Sequence, residues 1–161
     1  MPSRRELLKS GAAVAAGSLI GGRAALGSAP KTLLILGGTG FIGPHLTREA
    51  LRRGWKVTHF NRGRHNEGVA AGVEMLVGDR AGQLDALRGR SWDALVDDTG
   101  YIPRFVKQSA ELLAPQTDYC LYISSISAYA SFARANDEDS PTAVLTNPDE
   151  DIVSDDTYGP M

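Results

Sequence analysis

Leu33-Leu34-Ile35-Leu36-Gly37-Gly38-Thr39-Gly40-Phe41-Ile42-Gly43 is a short apolar run that stops at a cluster of glycines, with a helical pattern starting at once behind it. That order reads as a buried strand, a tight turn and the N-terminus of a helix. Gly38, Gly40 and Gly43 fit the spacing G-x-G-x-x-G, and Gly37, Gly40 and Gly43 fit G-x-x-G-x-x-G. One glycine allows the sharp turn, one lets backbone approach a pyrophosphate, and one allows close helix–strand packing. Free N–H groups and the positive end of the helix dipole then hold phosphates. The spacing alone is a weak signal. The strand before it and the helix after it make Gly37, Gly38, Thr39, Gly40, Phe41, Ile42 and Gly43 candidates for binding a dinucleotide. The competing reading is a glycine-rich turn that holds no ligand.

Working outward, strands alternate with helices. Ile42, Leu46 and Ala50 recur at helical spacing, Pro44 is tolerated in the first turn, and Gly54 is a C-cap. Trp55 to Phe60 reads as a second strand, Val73 to Val77 as a third, Trp92 to Val96 as a fourth and Tyr119 to Ile123 as a fifth. A short helix is expected around Leu84 and Leu87, and a longer one from near Pro103 to Pro115. The fold class is therefore α/β, a Rossmann-type doubly wound parallel sheet, with ligands beyond the C-terminal ends of its strands.

The strand ends carry the cofactor reading. About twenty residues past the glycine turn, a carboxylate would bind the ribose 2′-hydroxyl of NAD. This chain has Asn61-Arg62-Gly63-Arg64 there. An acid would repel a 2′-phosphate, whereas Arg62 and Arg64 would pair with it, so NADP is favoured over NAD. The competing reading is a pair of solvated loop arginines. The third strand ends at Gly78-Asp79-Arg80. Asp79 can accept from the adenine amino group or cap the following turn, and Arg80 beside it is a further cofactor-binding candidate.

Composition bounds the rest. The chain has 161 residues, a net charge of −2 and a single cysteine. That is enough for one domain, with no internal disulfide and no basic excess pointing to nucleic acid. Cys120 lies in an apolar run and is expected to be a buried, inert thiol. His59 and His65 show no ligand spacing and are read as structural, with no metal site. The acidic stretch Ala135 to Asp156, with Pro141 and Pro148, is expected to be a loop over the site.

The first residues read differently. Arg4-Arg5 precedes Leu7-Leu8, then a mildly apolar segment from Gly11 to Gly22, then small residues around Ala25-Leu26-Gly27. This resembles a twin-arginine export signal over residues 1–29, with the dinucleotide-binding domain over 30–161. Cleavage after Gly27 or Ala29 and a periplasmic or extracellular location are the expectations. The apolar part is too short and too rich in glycine and alanine for a comfortable membrane span. The competing reading is an ordinary amphipathic or disordered N-terminus.

From Lys31 to Met161 the sequence resembles the extended short-chain dehydrogenase/reductase family, the NAD-dependent epimerase/dehydratase group. The residues carrying it are the glycine turn, the strand-end Asp79, Ser124-Ser125 with Tyr129, and Tyr158. The resemblance implies that Ser125, with Ser124 as the alternate, polarises a substrate oxygen and that Tyr158 exchanges the proton. A free tyrosine has a pKa of about 10 and needs a nearby cation to act as a base at neutral pH. The family supplies it from a Y-x-x-x-K motif, whose Lys would fall at position 162, one beyond Met161. The sequence is therefore read as the N-terminal part of a longer protein, without the substrate region and with an unpaired sheet edge. Asn61-Arg62-Gly63 and Asp97-Asp98-Thr99-Gly100 depart from the commonest family pattern. They resemble a subgroup that includes reductase-like proteins and plastid RNA-binding relatives. The implied function is hydride transfer to or from a small molecule, with a sugar nucleotide or another carbonyl or carbinol compound as substrate. A homodimer is a further implication, since family members often pair through a helix bundle. A non-catalytic dinucleotide-binding sensor or interaction module is the alternative.

Overall fold

The computed structural model describes residues 29–161, so the segment read as an export signal lies almost wholly outside the described residues. Five strands form one parallel sheet: β1 (Thr32–Leu36), β2 (Lys56–Asn61), β3 (Glu74–Val77), β4 (Trp92–Asp97) and β5 (Thr117–Tyr122), in the order β3-β2-β1-β4-β5. Helix α1 (Gly43–Arg52) connects β1 to β2, and α2 (Pro103–Leu113) connects β4 to β5. The order reverses between β2 and β4 around β1, which opens a crevice above the C-terminal end of β1.

β1 is buried on both faces, and its alternation sorts the core into two layers. Leu33 and Ile35 join Val57, Val96 and Ala50 of α1 on one face. Leu34 and Leu36 join Phe60, Leu87, Trp92, Leu95 and Leu113 on the other. A continuous apolar strand such as Leu33-Leu34-Ile35-Leu36 is what a doubly covered parallel sheet requires. The strand starts are locked as well: the Asp93 carboxylate accepts from both the N–H and the hydroxyl of Thr32 at 2.6 Å.

Two expectations are corrected. The connection after β3 is not a helix but a single 3-10 turn over Asp85–Leu87. It is bracketed by Gly82 and Gly89, both at positive φ, which break helical continuity on either side. Cys120 is exposed, not buried. It sits on β5, the edge of the sheet, where Tyr119, Leu121 and Tyr122 are exposed with it. An apolar run marks a buried strand only when both faces are covered, and here they are not. Partial desolvation by its neighbours and the charge of nearby Asp97 push the Cys120 thiol pKa up, away from reactivity.

Among the described residues no helix is long and apolar enough to cross a membrane, and no group of three or more His, Cys, Asp or Glu is placed to hold a metal ion.

Leu34 is fully buried on the central strand. Leu34→Ala is expected to cost about 2–5 kcal/mol of unfolding free energy through lost transfer and a residual cavity, read as a lower urea midpoint at unchanged slope.

Candidate functional site

The turn leaving β1 is built on glycine backbone. Gly37 and Gly38 have φ of +108° and +83°, a region that side chains disfavour. The Gly37 N–H donates to the Phe60 carbonyl at 2.9 Å, and the Gly38 N–H donates to Asp98 Oδ1 at 3.3 Å. Below the turn, Gly43 opens α1 so close to Gly38 that a β-carbon there would lie 2.3 Å from the Gly38 carbonyl carbon. Gly40 faces open space instead, with nothing within 4 Å of where its β-carbon would be. No side chain caps the start of α1, which has Ile42 as its N-cap. An uncapped helix end under a bare backbone turn is a cradle for phosphate.

Two cavities flank this turn. The first, of about 330 Å³, is lined by Gly37, Thr39 and Gly40 of the turn and by Asn61, Arg62, Arg64, Asp79 and Arg80. Asn61 works as a brace: its Nδ2 donates to the Gly37 carbonyl at 3.1 Å, and its Oδ1 accepts from the Gly63 N–H at 2.8 Å. It ties the glycine turn to the loop that presents Arg62 and Arg64. Both arginines are exposed, and neither is in an ion pair among the described residues. Asp79 lines the cavity, and its Oδ1 accepts from the Ala81 N–H at 3.0 Å.

Arg80 lines the same cavity but is already engaged. Its guanidinium grips Asp97 with two bonds of 2.7 and 2.6 Å and donates to Ser109 at 2.7 Å. Asp97 and Ser109 are buried, so the pair ties the β3 loop to β4 and α2. The fork is thereby held in place rather than free to swing onto a phosphate.

The second cavity, of about 380 Å³, lies on the other side. Ser124, Ser125 and Tyr158 line it together, with Ile42, Asp98, Tyr101 and Tyr122. β5 delivers the serines directly from its C-terminal end. Ser125 caps the 3-10 turn Ile126–Ala128, its hydroxyl oxygen accepting from the Ser127 N–H at 3.2 Å. Tyr158 is brought in by the C-terminal segment, its ring beside Tyr101 at 6.3 Å between centroids. Gly159 makes this possible, because a β-carbon there would meet the Ser127 carbonyl. Thr142 and Ala143 of the acidic segment also line the cavity. The Tyr122 hydroxyl donates to the Gly100 carbonyl at 2.5 Å, and burial and Asp97 push its pKa up. Burial likewise raises the Asp98 carboxyl above its ordinary range.

Of the remaining turn residues, Phe41 projects into solvent. Gly38 borders a third, smaller hollow of about 190 Å³ behind the turn, with Thr47 and His59. His59 is buried, its Nε2 2.7 Å from the Thr47 hydroxyl, and burial lowers its pKa. The part played by Asp98 had no cue in the glycine spacing; its signal was a second acid directly after a strand-end acid.

The NAD dependent epimerase/dehydratase family model matches residues 33–113, half of the chain. The chain belongs to that family. The matched part holds the glycine turn, both arginines and the residues that line the first cavity. No curated protein sequence matches the chain. Among solved structures, a UDP-galactose 4-epimerase superposes with a TM-score of 0.57 at 17% identity, over 70% of this chain and 44% of that one. The enzyme WbmG of Bordetella bronchiseptica, solved in complex with NAD and UDP, gives 0.54 at 17% identity, over 71% of this chain and 44% of its own. An epimerase of the methanogen Methanothermobacter thermautotrophicus gives 0.57 at 18%, over 74% and 43%. At these identities the likeness shows the fold, and the chain spans less than half the length of each.

Gly43 and Gly40 differ in what a side chain would meet. Gly43→Ala forces backbone apart and is expected to cost about 1–3 kcal/mol in chemical denaturation. Gly40→Ala, in open space, is expected to stay within about 0.5 kcal/mol of wild type.

Proposed function

We propose that the protein acts as an NADP-preferring oxidoreductase or epimerase of the extended short-chain dehydrogenase type, on a small carbinol or carbonyl compound such as a sugar nucleotide. The observation that carries this reading is the second cavity, where the Ser125 hydroxyl and the Tyr158 phenol share one wall system beside the glycine turn. When bound, the nicotinamide supplies or accepts the hydride. Ser125 donates its O–H to the substrate oxygen and holds it in place. Tyr158 gives or takes the proton on that oxygen. Asn61, Arg62 and Arg64 set the cofactor preference from the first cavity: a 2′-phosphate would meet two unpaired guanidinium groups there and no carboxylate at the end of β2. Export by a twin-arginine route belongs to the same proposal and rests on Arg4-Arg5 and the segment behind them.

Tyr158→Phe is expected to lower turnover by about 10²–10⁴-fold while leaving the NADPH dissociation constant within about twofold, followed by NADPH absorbance and by chromatography of sugar-nucleotide products. A wild-type protein that binds NADPH and turns over no member of a carbonyl and sugar-nucleotide panel would instead support a binding module.

Replacing Arg62 and Arg64 together by Ala is expected to weaken NADPH by about 10–100-fold and NADH by less than about twofold, the loss of charge-assisted bonds to one phosphate. Equal losses for both cofactors in fluorescence titration would remove the NADP preference.

A further inference from the structure

The crevice contains one carboxylate that the proposed chemistry does not use. Asp98 follows β4 and lies against the glycine turn: its Oδ1 accepts from the Gly38 N–H at 3.3 Å, and a β-carbon on Gly37 would fall 2.1 Å from the same oxygen. It also lines the second cavity with Ile42, the N-cap of α1. Its neighbour Asp97 has a cation, Arg80, in a two-bond grip. Asp98 has none within ion-pair distance among the described residues. An anion therefore occupies part of the ground on which a glycine turn and a helix N-terminus would hold a diphosphate.

We propose that Asp98 is a cofactor-positioning residue whose carboxylate takes up a proton when the diphosphate of a dinucleotide seats on the glycine turn, so that cofactor and proton bind together. The inference rests on the dinucleotide reading above. Two like charges at one site cannot both persist at low cost, and the carboxylate is the partner that can be neutralised. The proton comes from solvent and adds to the cavity-facing oxygen, turning an acceptor into an O–H donor. The other oxygen keeps the Gly38 N–H. Burial has already moved the free carboxyl part of the way, above the ordinary carboxylate range.

The groups facing Asp98 are few. Asp97 lies beside it on β4 and raises it, while Arg80 of the β3 loop lowers it from a distance. Tyr101, Tyr122 and Tyr158 face it across the cavity. The turn from Gly37 to Pro44 carries no titratable side chain. His59 packs behind Gly38, on the other side of the turn.

The sign follows from linkage. Below the pKa of free Asp98 the proton is already present and affinity is flat. Between that value and the higher value in the complex, binding takes up a proton and affinity falls as pH rises. The test is calorimetric titration of the full chain with NADH and with NADPH from about pH 5 to about pH 9, in two buffers of different ionisation enthalpy, beside Asp98→Asn. The expected result for wild type is affinity falling by up to about tenfold per pH unit across that window for both dinucleotides, with proton uptake. Asp98→Asn, which keeps an oxygen for the Gly38 N–H, is expected to bind without that slope and more tightly at high pH. Titration of the 2′-phosphate would affect NADPH alone. A wild type with no slope and no proton uptake toward NADH overturns the inference, as does a slope that survives in Asp98→Asn, which would belong to His59 or a tyrosine. If Asp98→Asn fails to fold, Asp98→Ser takes its place, with the same expected loss of slope and proton uptake and the same overturning result. If neither dinucleotide binds at any pH, the dinucleotide reading fails and this inference with it.

Discussion

Helix α1 begins against the backbone of the turn that precedes it, and that contact is possible only because residue 43 has no side chain. The consequences spread in both directions. The helix end comes close under the glycine turn, which brings an uncapped ring of N–H groups to the mouth of the crevice. Ala50 of the same helix reaches the core layer formed by Leu33, Ile35 and Val57, so the position of the phosphate cradle is set by the packing of β1. On the far side Thr47 of α1 donates to the Gly43 carbonyl and meets buried His59, and the two side chains line the hollow behind the turn.

A second constraint is electrostatic. β4 ends on two adjacent carboxylates that point to different fates. Asp97 is buried and satisfied by Arg80, Ser109 completing the guanidinium's partners. Removing one member of such a pair is costly because the other is left charged and dry. The arrangement therefore fixes the β3 loop, and with it Asp79, at the edge of the first cavity. Asp98, one residue on, turns to the opposite side and meets the glycine turn instead. Arg62 and Arg64 thus line the cavity at the β2 end together with Asp79, and Asp98 lines the cavity at the β5 end.

Much of this was legible in the sequence. The glycine turn, α1 and the five strands follow from apolar runs bounded by Gly, Pro and Asp, since burial on both faces leaves a simple signature in β1 and β2. The signature failed at β5, where Tyr119-Cys120-Leu121 looks like a core strand but is exposed among the described residues. It failed again at Asp85–Leu87, where two apolar residues at helical spacing belong to one 3-10 turn between positive-φ glycines. Within the site, Ser125 and Tyr158 could be named from a family pattern, but no spacing could reveal that residues so far apart along the chain would border one cavity. Nor could it show that Arg80 would be held by Asp97, because that choice depends on which groups the fold buries together.

Asn61 has a consequence for cofactor engineering. Its amide uses both ends, donating to the Gly37 carbonyl and accepting from the Gly63 N–H. The usual way to convert a nucleotide site toward NAD is an acid at the end of the second strand. Aspartate at this position would keep the bond from Gly63 but could offer no donor to Gly37, setting a carboxylate oxygen against a carbonyl oxygen. The exchange of one cofactor for another would then loosen the phosphate turn itself. In this scaffold the position where that acid would go already braces the loop, so a redesign of specificity has to supply a new donor for the Gly37 carbonyl before it can introduce the acid.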